Sequence, residues 1–155
     1  MKDHIFITGG CGYVGSKLVN YFLRKYKVTV FDTQWFGNFL KEDKNLEIIK
    51  GDIRFDLKNI NFSKYKSVIH LASIANDPSV ELDQTLSWEV NVLSSKLLIE
   101  KCISGGVENF IFASSGSVYG IKDEEKVTED LELVPISAYN KTKMISERVF
   151  LSYKN

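Results

Sequence analysis

Cysteine, proline and histidine are scarce in this chain, with two of each among 155 residues. Cys11 and Cys102 lie far apart and lack metal-ligand spacing, so they read as free thiols in a reducing compartment rather than as a disulfide. His4 and His70 read as core or strand-end residues, and with so few ligating side chains no metal site is expected. Pro78 and Pro135 fall in loops or at helix starts, where a missing donor does no harm. Net charge is missing too: 20 basic side chains face 20 acidic ones. That balance gives no reason to expect nucleic acid, a polybasic membrane anchor or an acidic tail. No segment approaches the roughly 18 apolar residues of a membrane span. The N-terminus enters Ile5-Phe6-Ile7-Thr8 at once, leaving no room for a signal peptide, so a cytoplasmic location is expected.

What the chain does have is a regular alternation of strand and helix. The hydrophobic content of 44% is that of an ordinary globular domain. Ile5 to Thr8 is a short apolar run ending in glycines, as in a buried parallel strand. Val28 to Asp32, Leu46 to Lys50, Ser67 to Ala72 and Asn109 to Ser114 read as four more strands. A helix is expected from Tyr13 to about Lys25, with a stripe of Val14, Leu18, Tyr21, Phe22 and Lys25. A long helix from about Asp83 to Lys101 places Leu86, Val90, Leu93, Leu97 and Leu98 on its apolar side. A last helix begins near Ser137 and carries Tyr139, Lys143, Ile145, Val149 and Phe150. Lys122 to Lys126 is a short solvated charged loop. The pattern calls for an α/β fold, a doubly wound parallel sheet of Rossmann type with helices on both faces. Residues 1–155 read as one dinucleotide-binding domain. A full sheet of this type uses at least six strands. The expectation is therefore a sheet truncated after about five, with apolar surface bare at the fifth.

Chemistry concentrates at two places. Gly9, Gly12 and Gly15 follow the first strand at three-residue spacing and open a helix. Such glycines allow a tight turn, close approach to a pyrophosphate and close helix–strand packing. The helix N-terminus adds free N–H groups and a positive dipole end. Cys11 reads as a small filler in this loop. Asp32 ends strand two about 20 residues further on, where a carboxylate can bond a ribose 2′-hydroxyl. It would repel a 2′-phosphate, and Thr33, Gln34, Trp35 and Phe36 supply no cation to receive one, so NAD is favoured over NADP. Asp52 ends strand three, within expected reach of an adenine amine.

Tyr139 and Lys143 form the second place. A four-residue offset puts both side chains on one helix face, roughly 6 Å apart at Cβ. An ammonium there is expected to lower the phenol pKa from its usual value of about 10. That would give a general base usable near neutrality. Ser114, Ser115 and Ser117 lie at the carboxyl end of strand five, the edge where open α/β sheets place their active sites, and can share a substrate proton with Tyr139.

These motifs, in this order, resemble the extended short-chain dehydrogenase/reductase family, above all its NAD-dependent sugar-nucleotide epimerase/dehydratase branch. The matches are the Thr8-Gly9-Gly10-Cys11-Gly12-Tyr13-Val14-Gly15-Ser16 loop, Asp32, Gly51-Asp52-Ile53-Arg54 and His70-Leu71-Ala72. They continue with Asn91-Val92 leading to Leu97-Leu98, Ser114-Ser115-Gly116-Ser117-Val118-Tyr119-Gly120, and Tyr139 with Lys143. The resemblance implies Tyr139 as catalytic base, Lys143 as its tuner and holder of the nicotinamide ribose, and Ser115 as the hydroxyl partner. It implies cofactor contacts at Gly9, Gly12, Tyr13, Val14, Gly15, Asp32, Asp52, Ile53, Leu71, Ala72, Asn91 and Ser114, besides Tyr139 and Lys143. Asn91 would lie near the nicotinamide side.

Two departures sharpen the expectation. The 4,6-dehydratases of this branch carry an Asp-Glu pair after the catalytic Ser/Thr, where this chain has Gly116 and Ser117. Elimination of water in that manner is not expected. Family members also continue past the Tyr/Lys helix into further strands and a C-terminal sugar-nucleotide domain, so the resemblance covers the cofactor half. The implied activity is epimerisation of a sugar nucleotide by transient hydride transfer to NAD. A sugar reductase or dehydrogenase of the same family, and an inactive NAD-binding fragment or subunit, remain open at this point. Relatives dimerise through the two helices corresponding to those that carry Asn91 and Tyr139, so a homodimer is expected.

Overall fold

The computed structural model describes residues 3–154. Their contacts divide them into two compact units. One holds the residues up to Ser73 together with Leu97–Ala113, and the other holds Ile74–Lys96 with the residues from Ser114 onward.

The first unit is built on a parallel sheet. Its strands are β1 (His4–Thr8), β2 (Lys27–Asp32), β3 (Leu46–Lys50), β4 (Ser67–His70) and β5 (Asn109–Phe112), in the order β3-β2-β1-β4-β5. All four pairings are parallel, with Ile7 opposite both Val30 and Ile69. That is the order of a dinucleotide-binding sheet read from its third strand to its fifth. Side chains alternate across the pleat, so β1 serves both faces. Ile5, Ile7, Val28, Val30 and Ile69 join Val19 in one buried cluster, Val19 coming from α1 (Tyr13–Phe22). Phe6 packs against aromatic rings, with ring centroids 5.3 Å from Phe62 and 4.8 Å from Tyr65.

Helix α1 presents a different face from the expected one. Gly15 and Val19 are its buried residues, whereas Val14 and Tyr21 are exposed. The cause is close packing at Gly15: a Cβ there would collide with the Gly9 carbonyl oxygen and lie 2.6 Å from Gly10 Cα. That approach fixes the helix phase, and the apolar stripe does not. Strands β4 and β5 end two residues earlier than expected, at His70 and Phe112. Ile111 of β5 is exposed, and among the described residues β5 pairs with β4 alone, which is the bare apolar edge anticipated above.

The second unit is helical. It contains α2 (Asp77–Leu82), α3 (Gln84–Trp88) and a π-helical turn at Glu89–Leu93 that leads into α4 (Ser94–Ser104). A 3₁₀ turn at Gly116–Tyr119 and the long helix α5 (Ala138–Ser152) complete it. The expected single helix over 83–101 is thus interrupted by a π turn, which inserts a residue and shifts the phase of everything beyond it. Leu93 and Leu97 are exposed as a result, while Ser87, Asn91, Ser94 and Ser95 are buried. Helix α5 buries polar residues as well: Asn140, Thr142, Lys143 and Ser146. Ser137 caps it, its Oγ accepting from the Asn140 amide at 3.2 Å, which satisfies one of the free first-turn donors.

Candidate functional site

In the first unit the glycine turn is braced from both sides. Gly9 takes φ +71°, a conformation open to glycine, and a Cβ on it would sit 2.7 Å from the Ala72 amide nitrogen. Gly12 precedes α1, and no side chain caps the helix there. The first intrahelical bond runs from Ser16 N–H to the Gly12 carbonyl at 2.9 Å. The amides of Tyr13, Val14 and Gly15 therefore have no partner within the helix and are free for an anion.

Asp32 holds the turn from β2. Its Oδ2 accepts the Cys11 amide at 3.0 Å, and its Oδ1 accepts the Gln34 amide at 2.7 Å. Each oxygen keeps a lone pair for a further donor such as a ribose hydroxyl. Burial, and then the Asp32 charge, push the Cys11 thiol up to about 11. It stays protonated at neutral pH and fills space.

Toward β4 the brace is Thr8, the last residue of β1. Its Oγ1 accepts the Leu71 and Ala72 amides, both at 3.2 Å, and lies 2.7 Å from Nδ1 of buried His70. Thr8 thereby ties the Leu71–Ala72 backbone to the buried His70 ring. The sequence pattern gave Thr8 no role of its own, although it closes β1 directly before the glycines.

Asp52 is held by a close neighbour in the chain. Arg54 grips its carboxylate, Nη2 to Oδ2 at 2.8 Å and Nε to Oδ1 at 3.1 Å. The Arg54 side chain is the first cause holding the Asp52 carboxyl below its usual range. The guanidinium also lies over the Phe55 ring at 4.7 Å. Ile53 is buried beside this pair.

In the second unit Ser115 and Ser117, both singled out in the sequence, meet Asn140, which was not. Ser115 Oγ accepts the Ser117 amide at 3.3 Å and lies 2.6 Å from Ser117 Oγ. Ser117 Oγ in turn donates to Asn140 Oδ1 at 2.6 Å. The Ser115 hydroxyl lies near enough to the Tyr139 phenol to pull its pKa down.

The expected lowering of the Tyr139 pKa is overturned. Burial raises it, Ser115 pulls it partly back, and the Asp77 charge adds to the rise. Lys143 is 3% exposed, and burial pushes its ammonium down to about 8 against a smaller opposing pull from Glu147. Desolvation disfavours whichever form carries charge, so it moves the acid and the base in opposite directions. The one-helix-face argument saw the pair and missed the burial.

Asn91 sits in the π turn with its side chain fully used. Oδ1 accepts the Ile74 amide at 2.8 Å, while Nδ2 donates to the Ile74 carbonyl and to Thr142 Oγ1, both at 3.1 Å. Its backbone carbonyl accepts the Ser95 and Ser146 hydroxyls, each at 2.6 Å. The structure thus gives Asn91 to the seating of α5. Ser114 is the opposite case: its Oγ is buried with no partner, a free polar atom of the kind a ligand satisfies. Among the described residues no group of His, Cys, Asp or Glu could hold a metal ion, and no helix is long and apolar enough to cross a membrane.

The comparisons with known proteins agree on one family. Residues 5–155 match the model described as "NAD dependent epimerase/dehydratase family". UDP-glucose 4-epimerase of Corynebacterium glutamicum is 30% identical over 96% of this chain and 46% of its own length. The solved UDP-N-acetylglucosamine 4-epimerase from Methanobrevibacter ruminantium, in complex with UDP-N-acetylmuramic acid, is 28% identical. It has a TM-score of 0.89 over 99% of this chain and 51% of its own. The Thermus thermophilus UDP-glucose 4-epimerase, in complex with NAD, is 29% identical. Its TM-score is 0.86 over 97% of this chain and 50% of its own. The chain spans about half the length of these relatives. A five-stranded parallel sheet in Rossmann order, a glycine turn and a Ser/Tyr/Lys group in motif order lead to the same place: the chain belongs to the NAD dependent epimerase/dehydratase family.

Proposed function

We propose that this chain is the cofactor-binding half of an NAD-dependent sugar-nucleotide epimerase. The observation that carries the reading is the pairing of Tyr139 with buried Lys143 one turn on along α5, in a chain whose residues 5–155 match the NAD dependent epimerase/dehydratase family.

The residues suit the group. The glycine turn and the free first-turn amides of α1 would hold the pyrophosphate. The remaining lone pairs of Asp32 would take the adenosine ribose hydroxyls and reject a 2′-phosphate. The orphaned Ser114 hydroxyl supplies one more donor. NAD, when bound, supplies reversible hydride acceptance, as an inversion without net oxidation requires. Tyr139, ionised, takes the proton of the sugar hydroxyl and later returns it, with Ser115 bridging the two oxygens. Lys143 as ammonium would favour the phenolate and, one turn away, would hold the nicotinamide ribose. Gly116 and Ser117 bring no acid, so the elimination of the 4,6-dehydratases is not part of the reading. The substrate class is a nucleoside-diphosphate sugar, as in the relatives named above, and the setting is cytoplasmic.

A homodimer through the helices that carry Asn91 and Tyr139 belongs to the same reading, and Leu93 and Leu151 are exposed on those helices. Sedimentation that gives only a monomer across the concentration range contradicts it.

Tyr139→Phe should lower kcat by about 10²–10⁴-fold, as loss of a general base does, with NAD binding retained. Undiminished turnover rules out the base role. In the parent, kcat should rise with pH until about 8, where Lys143 begins to lose its charge. It should then level off, because phenolate gained is offset by ammonium lost below the raised Tyr139 pKa. A profile flat from pH 6 to 8 contradicts this. Net change in NADH absorbance during turnover would assign a reductase or dehydrogenase instead.

Asp32→Ala should weaken NAD and bring its affinity closer to that of NADP. An unchanged ratio of the two affinities removes Asp32 from the ribose role.

A further inference from the structure

Thr142 stands between the π turn and the backbone of Tyr139, and its bonding has one possible direction. The Asn91 amide can sit only one way round, because the Ile74 N–H at 2.8 Å needs an oxygen opposite it. Nδ2 then gives one proton to the Ile74 carbonyl and the other to Thr142 Oγ1, each at 3.1 Å. An amide nitrogen accepts nothing, so Thr142 is the acceptor there. Its own proton goes to the Tyr139 carbonyl at 2.7 Å. Donation therefore runs from Asn91 to Thr142 and from Thr142 to the Tyr139 backbone. Asn91 and Thr142 are both buried, so water does not compete for these bonds.

The same peptide unit is held at its other end. Its N–H belongs to Asn140 and donates to the capping Ser137 Oγ at 3.2 Å. A peptide group is planar, so fixing its carbonyl and its N–H fixes the plane that contains the Tyr139 Cα. The phenol projects from that atom. We propose that Thr142 is a positioning residue for Tyr139, carrying the anchorage of the π turn, through Asn91, to the peptide from which the base projects. It acts on the reaction through Tyr139 alone.

A neighbouring hydroxyl supplies the contrast. Ser146 is as buried as Thr142 and is also tied to Asn91, donating to its carbonyl at 2.6 Å and to the Thr142 carbonyl at 2.9 Å. Those bonds lie on the side of Thr142 away from Tyr139. Removing Ser146 Oγ loosens the seat of α5, whereas removing Thr142 Oγ1 also frees the Tyr139 carbonyl. Thr142→Val keeps the shape of the side chain and leaves an Asn91 proton and that carbonyl unmet, the costly kind of loss for buried groups. Thr142→Ser keeps the hydroxyl and both bonds.

The inference rests on the reading of Tyr139 as the base, and the sequence makes its test selective. Tyr139-Asn140 is the single Tyr-Asn pair in the chain. The full chain labelled with ¹³C in tyrosine carbonyls and ¹⁵N in asparagine amides therefore gives one correlated signal, from the peptide in question. A carbonyl carbon moves downfield when its oxygen accepts a hydrogen bond, so Thr142→Val should move this signal upfield. Thr142→Ala, a second variant in case the first does not fold, should move it the same way. Thr142→Ser and Ser146→Ala should leave it with the parent. In turnover, kcat should fall by about 10²-fold in Thr142→Val, as for a misplacement of roughly 1 Å, with NAD affinity retained and Thr142→Ser restoring the rate. An unmoved signal in the valine and alanine variants, an equal displacement in Ser146→Ala, or a displaced signal with kcat intact overturns the proposal. An active Tyr139→Phe would end the base reading and leave the response of the carbonyl signal standing, so the two failures are distinguishable.

Discussion

The helical unit is organised around one buried amide. Asn91 uses both of its Nδ2 protons and its Oδ1 on the Ile74 backbone and Thr142, and its own carbonyl collects two serine hydroxyls. These bonds tie the π turn to the middle of α5, between the turns that carry Tyr139 and Lys143 on one side and Ser146 on the other. A buried polar network of this kind is costly when partly satisfied and rigid when complete. Here each hydrogen of the amide has an acceptor. The orientation of the phenol and the ammonium follows from how α5 is seated, and Asn91 does the seating.

Burial then sets the chemistry of the pair. The environment that discourages a charged Lys143, holding it near 8, also discourages a charged Tyr139. Ser115 works against that second effect and Asp77 works with it. A phenol in this setting is mostly protonated at neutral pH and strongly basic once ionised. General-base efficiency balances the fraction in the right state against the drive for proton transfer.

Much of this was legible in the sequence, for reasons that differ by element. The glycine turn could be read because close backbone approach tolerates so few residue types: Gly9 needs its positive φ, and Gly15 has no room for a Cβ. The five strands could be read from short apolar runs, and Asp32 from its place at the end of β2. The π turn has no marker in the residue pattern, so the apolar stripe assigned across it went wrong at Leu93 and Leu97. The buried faces of these helices are polar, and a search for apolar periodicity passes over them. Yet Ser87, Asn91 and Ser95 recur every four residues, as do Thr142 and Ser146, a stripe of small hydrogen-bonding residues that was readable in principle. The grip of Arg54 on Asp52 was also within reach, two positions apart in the chain. The sign of the Tyr139 shift was not, because desolvation depends on what the rest of the chain lays over the phenol.

In the proposed function the inverted carbon of the sugar loses and regains the same hydrogen, as hydride, while Tyr139 handles only the proton on oxygen. Turnover in D₂O tests it most directly, with the product examined by mass spectrometry and NMR. The account predicts epimerised sugar nucleotide without solvent deuterium on carbon. Deuterium at the inverted carbon would mean that a C–H proton exchanges with solvent, and would contradict it.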